Sequence, residues 1–223
     1  EGTTSCASDP KKFGAWDQHL MTEWHIRYGD RGGMISWPVE QKSVCIYSPL
    51  KRCASSEVAA MMEGVLRHST AREVGQQYVD SHGQREVACA LSHLLGFDLM
   101  PRLKAIAAHK LSRPTPGHGD AYPHLQPMLT QPSNWALSRE QYDDLIKYAT
   151  ALRVGTAAPE SILRRFPRKH VQHPTSRALV ELGKAITTTL LSRYLQEESL
   201  RQEMNAGLNV VENWNSAKDV ILL

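Results

Sequence analysis

The sequence predicts an α/β fold: a mixed β-sheet flanked by helices, with an α-helical insertion or appendage. Three observations point there. Strand-length apolar runs bounded by turn residues fall within residues 1–104. Their order is strand, hairpin, helix, strand, helix, strand, which suits a mixed sheet covered by helices. From about Ala105 onward the periodic segments repeat at helical spacing only.

Residues 3–9, Thr-Thr-Ser-Cys-Ala-Ser-Asp, read as a small-residue strand ending on Asp9. Pro10 lacks an N–H and is expected to stop further ladder pairing. Residues 11–30 have no clear period and read as a loop with one helical turn. Residues 33–39 and 43–48 read as a hairpin across the polar turn Glu40-Gln41-Lys42, with Pro38 near a sheet edge. Ser55 or Ser56 caps a helix with Glu57 in its first turn, and Val58, Ala59, Met62, Val65 and Leu66 share one face.

A strand over about 74–80 ends on Asp80 and is followed by a turn containing Gly83. The next helix, 84–95, buries Val87, Leu91, Leu94 and Leu95 and stops at Gly96, the residue expected just past a helix end. Residues 97–103 form a further short strand. Residues 113–134 carry Pro114, Pro116, Pro123, Pro127 and Pro132 and read as irregular connection. Helices are expected over 138–153, 158–166 and 175–195, and a last one from Ser199 to about residue 218. No strand is expected between Ala105 and the final residues.

Composition bounds the function without choosing it. The 223 residues include 26 Lys and Arg against 23 Asp and Glu, which permits a polyanionic partner and does not require one. No apolar run is long enough to span a bilayer and no signal peptide is evident, so no membrane partner is expected. Cys6, Cys45, Cys53 and Cys89 lack any C-x-x-C pairing and read as reduced thiols of a cytosolic protein. The ends, Glu1 and an apolar Leu223, read as those of an excerpt from a longer chain. A glycine-rich phosphate loop is absent, which excludes the usual nucleotide hydrolases.

Three acids stand out. Asp80 sits at a strand tip, where open sheets build their sites. Asp9 is a second strand-ending acid. The last helix has an apolar stripe of Leu200, Met204, Leu208 and Val211, and Glu212 lies at its edge, able to lean over the end of a sheet. Asp219 is the alternative two turns further on, with Asn215 between them. Mg²⁺ is a hard ion usually held by one or two carboxylates plus phosphate oxygens. Two such ions about 4 Å apart stabilise both the attacking and the leaving oxygen of a displacement at phosphorus.

Longer motifs surround these acids. They include Cys6-Ala7-Ser8-Asp9 with Phe13-Gly14, Tyr78-Val79-Asp80-Ser81-His82-Gly83, and His93-Leu94-Leu95-Gly96-Phe97 with Pro101-Arg102-Leu103-Lys104. Further along are Leu152-Arg153-Val154-Gly155-Thr156, Ala178-Leu179-Val180-Glu181-Leu182-Gly183-Lys184, and Gly207 through Glu212 to Asn215. In these motifs the chain resembles the catalytic region of the replicative DNA transposases of class II transposons, the Tn3 family, over nearly its whole length.

The resemblance implies an RNase H-like core with a DDE triad matched by Asp9, Asp80 and Glu212. It divides the chain into a first part of the core over 1–104, a mainly helical insertion over 105–198, and a core helix over 199–223 carrying Glu212. It implies Mg²⁺, with Mn²⁺ able to substitute. The implied chemistry is cleavage at transposon 3′ ends and transfer of the 3′-OH into target DNA, through a cointegrate. The implied partners are terminal inverted repeats and target DNA, bound by a full-length homodimer in the bacterial cytoplasm at the nucleoid. Phosphate contacts then fall to Lys11, Arg102, Lys104, Arg164 and Arg165. A non-catalytic remnant serving as an interaction module and an RNase H-like structure-selective nuclease are the other readings.

Remaining candidates are weaker. His170-x-x-His173 has ligand-like spacing but no Cys pair and is followed by Pro174, so loop histidines are expected. Consecutive Asp80-Ser81-His82 cannot form a hydrolase triad, although His82 stays a candidate for proton transfer. Trp16, Trp24 and Trp37 are read as core or interface residues before base-stacking ones.

Overall fold

The structure is a computed structural model. It describes residues 3–222 except 15–17, 21, 27–28, 41–43, 71–72, 81–85, 115–122 and 167–172, with backbone only for 218–222. The main sheet contains β1 (Thr4–Phe13), β2 (Glu23–His25), β3 (Asp30–Glu40), β4 (Leu50–Arg52), β5 (Val74–Val79) and β6 (Asp98–Pro101). Its order is β2-β3-β1-β5-β6, with β4 also paired to β3. β3 runs antiparallel to β1, whereas β5 and β6 continue from β1 in parallel.

Helices cover both faces. Successive strand residues point to opposite sides, and the core divides accordingly. On one side Val79 and Leu99 pack against α1 (Glu57–Arg67) and α2 (Glu86–Leu94) through Met61, Met62 and Leu91. On the other, Ala7, Tyr78 and Met100 pack against α7 (Glu198–Leu222) through Leu200, Met204, Leu208 and Val211. The stripe read from the last helix is therefore the one it buries.

Between these elements lie α3 (Trp135–Glu140), α4 (Tyr142–Val154), α5 (Pro159–Arg165) and α6 (Pro174–Gln196). The expected helix over 138–153 begins earlier and breaks at Gln141, which ends α3 and precedes α4. Leu145, Leu152, Ile162 and Leu179 from α4, α5 and α6 enter the same buried cluster as α1 and α2. Ser56 caps α1, accepting from the Ala59 amide at 3.4 Å. Gly96 ends α2 at φ +93° and lets Phe97 N–H bond back to the Ser92 carbonyl at 3.1 Å, as expected.

Four strand expectations are corrected. β1 does not stop at Pro10 but runs on to Phe13, with Pro10 opposite Ser36. In this antiparallel pair Ser36 directs its own N–H away from β1, to the Pro49 carbonyl at 3.4 Å. Pro10, facing it in a non-hydrogen-bonded pair, likewise points its nitrogen away from β3. The parallel pairing to β5 ends at Ser8, so no ladder bond is lost there.

The second correction concerns 11–30, which contains β2 and the first residue of β3 as well as loop. Third, among the described residues of that expected strand, 44–48, strand pairing is limited to an isolated bridge, Val39 to Cys45, and regular pairing resumes at β4. Fourth, a small parallel sheet of β7 (Leu111–Arg113) and β8 (Leu129–Pro132) stands in the half expected to be free of strands.

All four cysteines are free thiols. Burial, with the Glu40 charge second, pushes Cys6 up to about 12, and burial pushes Cys89 up to about 11. Among the described residues, no helix is long and apolar enough to cross a membrane.

Candidate active site

Asp9 lies on β1 just beyond the last residue that pairs with β5, and Asp80 follows the end of β5 directly. Asp80 thus lies outside the end of β5, while Asp9 is still inside β1, opposite Trp37 of β3, and the two are neighbours where the parallel pairing of β1 and β5 stops. Together with Ser8, Pro10, Glu57, Val58, Met61 and Val79 they line one small pocket.

The position of α7 is set by a close contact. Gly207 rests on the Tyr78 ring, where a Cβ would come within 2.5 Å of Cδ2. Tyr78 Oη in turn donates to Glu203 Oε1 at 2.7 Å. At 1.5 Å rise per residue, Glu212 and Asn215 follow roughly 8–12 Å further along the axis. Asn215 thereby reaches Asp9, donating from Nδ2 to Oδ2 at 3.0 Å.

Electrostatics tie the acids together. The Asp9 carboxyl is raised above its ordinary range, first by burial, then by the negative charges of Asp80 and Glu57. The Asn215 hydrogen bond opposes the rise, and Glu212 adds a smaller push.

Glu212 is half exposed and accepts from Arg102 Nη2 at 3.0 Å. Lys104 Nζ stands 3.2 Å from Asp80 Oδ1. Among the described residues, no three carboxylate, imidazole or thiol side chains gather closely enough to hold a metal ion together. Asp9 and Asp80 share a pocket, while Glu212 turns to its own arginine at the rim. Arg102 and Lys104 thus hold Glu212 and Asp80 to separate partners.

The donor chemistry nevertheless fits a hard divalent ion. Two carboxylates face one pocket, two further acids bear on it, and after burial it is the crowding of negative charge that raises Asp9.

The other sequence candidates separate. Lys11 Nζ donates to the Asn215 main-chain carbonyl at 2.9 Å, beside Asp9. Arg164 and Arg165 are on α5, away from the pocket lining: Arg164 pairs with Glu160 at 2.8 Å, and Arg165 lies over the Tyr148 ring. The first turn of α5 still meets the start of α1, since Glu160 accepts the Ser56 N–H at 2.9 Å. Trp37 packs on the α7 side of the core, whereas Trp24 is exposed. His173 precedes α6 beside Phe166. His82, Trp16, His170 and the Asp219 side chain lie outside the described residues.

Two residues at the site escaped the sequence reading. Glu57 was understood only as a first-turn acid complementing the α1 dipole, yet it lines the pocket. Asn215 was noted only as lying between two acids. Its spacing of three from Glu212 was the available signal, because it puts both on one side of a helix.

Comparison with known proteins decides the family, because residues 1–223 match the family model of the Tn3 transposase DDE domain. The chain belongs to that family. It is 28% identical to the transposase for transposon Tn1546 of Enterococcus faecium, over 96% of this chain and 22% of that protein. Similarity to the transposase for transposon Tn3926 of Escherichia coli is 32%, over 97% of this chain and 22% of the relative. The transposase for transposon Tn21, also of Escherichia coli, is 29% identical over the same shares. This DDE domain thus spans about a fifth of the length of the curated relatives it matches.

Proposed function

We propose that this DDE domain is the catalytic domain of a replicative transposase, cleaving at transposon 3′ ends and transferring the 3′-OH into target DNA. The observation that carries this is the meeting of Asp9 and Asp80 in one pocket where the parallel pairing of β1 and β5 stops, with α7 docked on Asp9. In this reading Asp9 and Asp80 are shared metal ligands and Glu212 completes the set. Mg²⁺ or Mn²⁺ held there polarises a phosphodiester and lowers the pKa of an attacking water.

The mixed sheet, antiparallel on one side of β1 and parallel on the other with helices on both faces, supports an RNase H-like core. Residues 1–104 and 199–223 form that core, and 105–198 form a mainly helical insertion.

Arg102 and Lys104 hold phosphate once DNA is present. Their carboxylate pairs are partly exposed, and such pairs are worth about 0–1 kcal/mol, so exchange for a phosphate costs little. Lys11, beside Asp9, and Arg164 and Arg165 on α5 are assigned phosphate contacts in the same reading. Replacing Arg102 and Lys104 by Ala in the full-length protein should reduce the salt dependence of end binding by about one phosphate each. An unchanged slope would remove them from the DNA path. The DNA partners are the terminal inverted repeats and target DNA, bound at the nucleoid by a homodimer of the full-length protein.

The function is tested by joining a pre-cut transposon end to target DNA with the full-length protein. Joining is expected with Mg²⁺ or Mn²⁺ and is lost on chelation. A folded protein that binds ends but never joins them would overturn the reading. Cutting of branched DNA regardless of terminal repeats would instead identify a structure-selective nuclease.

A further inference from the structure

We propose that Asn215 is a positioning residue for Asp9: its amide group holds one carboxylate oxygen of Asp9 and leaves the other to the divalent ion. The proposal rests on the metal-site reading above and adds a residue outside the three acids.

The contacts are directional. Asn215 Nδ2 donates to Asp9 Oδ2 at 3.0 Å and, more weakly, to the Asp9 main-chain oxygen at 3.4 Å. Its own main-chain carbonyl accepts from Lys11 Nζ at 2.9 Å. Residue 215 is thus bound to β1 on both sides of Pro10, three residues after Glu212 on the same helix. A donor on Oδ2 fixes the plane of the carboxylate, so Oδ1 is the oxygen left for a cation. Orienting a ligand through its second oxygen is the general work of groups behind a metal's first ring of ligands.

The residue type matters. Asn215 is buried, while Glu212, Asn213, Ser216 and Ala217 around it are exposed. A helix that needed only packing here would favour an apolar side chain, because a buried amide must find partners. Leu would supply no donor, and Asp would set a second carboxylate against the first. The amide oxygen of Asn215 is buried without a partner among the described residues. It offers an acceptor beside the Asp9 carboxylate, and hard ions keep waters that need acceptors.

The test uses full-length protein with pre-cut end DNA. It reads Mn²⁺ affinity by electron paramagnetic resonance, the Mn²⁺ concentration needed for joining, end-binding affinity and the thermal midpoint. Asn215→Leu is expected to weaken Mn²⁺ binding about tenfold or more, with a matching rise in the Mn²⁺ needed for joining. End binding should hold. Wild-type Mn²⁺ affinity and metal requirement in a folded Asn215→Leu protein would overturn the proposal. If Asn215→Leu does not fold, Asn215→Ala makes the same comparison with room to spare.

Asp9→Asn in parallel separates the two levels. If it binds Mn²⁺ and joins ends like wild type, the metal site itself is wrong and this proposal falls with it. If Asp9→Asn loses both while Asn215→Leu loses neither, only the role of Asn215 is refuted.

Discussion

Asp9→Asn and Asp80→Asn in the full-length protein are each expected to reduce strand transfer by at least about 10³-fold while end binding persists. The magnitude follows from the divalent ion that the two carboxylates would hold in the proposed site. A correctly placed divalent ion contributes several kcal/mol of charge stabilisation at phosphorus, and about 1.4 kcal/mol is a tenfold change in rate. The substitutions preserve shape, and removing a negative charge from this pocket relieves the cost of burying a charged Asp9 and its repulsion by Asp80 and Glu57. Folding should therefore be unharmed or improved, which separates a chemical loss from an unfolded one. Glu212→Gln is expected to act in the same direction, and it also releases Arg102. Strand transfer within tenfold of wild type in either Asp variant would remove that residue from the chemistry.

Gly183→Ala destabilises the domain by about 2 kcal/mol. In an exposed helix interior the same change would stabilise by about 1 kcal/mol, because Ala is the better helix former. Here a Cβ would land on the backbone of Glu86, against its carbonyl oxygen and carbon. Backbone cannot turn aside as a flexible side chain can, so α2 and α6 must separate. That separation loosens Ala88, Leu91 and Leu179, all almost wholly buried. Overpacking of this kind costs about 1–3 kcal/mol, occasionally more. Chemical denaturation measures the outcome, as a lower midpoint at unchanged slope. A higher midpoint would mean that the two helices are not in this close contact.

Much of the architecture was legible because it depends on near neighbours. The stripe Leu200, Met204, Leu208 and Val211 is a local period, and it is buried as read. Ser56 and Gly96 mark helix ends through bonds to residues a few positions away. Pro10 misled because its effect depends on which side of β1 lacks a partner, and that follows from where β5 stops. β7 and β8 are three and four residues long, too short for any period, and they find each other only across the proline-rich connection.

The candidate site divides along the same line. The strand tip at Asp80 and a helix edge at Glu212 could be read from spacing, as could the family motifs around them, whereas Asp9 read as a strand end and lies inside β1. The meetings could not. Asn215 reaches Asp9 across 206 residues, Arg102 reaches Glu212 across 110, and Lys104 reaches Asp80 across 24. The first two depend on how far α7 slides along β1, where Gly207 lies on the ring of Tyr78, and the third on the register of β5 against β6. Periodicity assigns a side chain to a face, because a face is a property of the element alone. Which group it meets there depends on the register between elements, and only packing in three dimensions sets that.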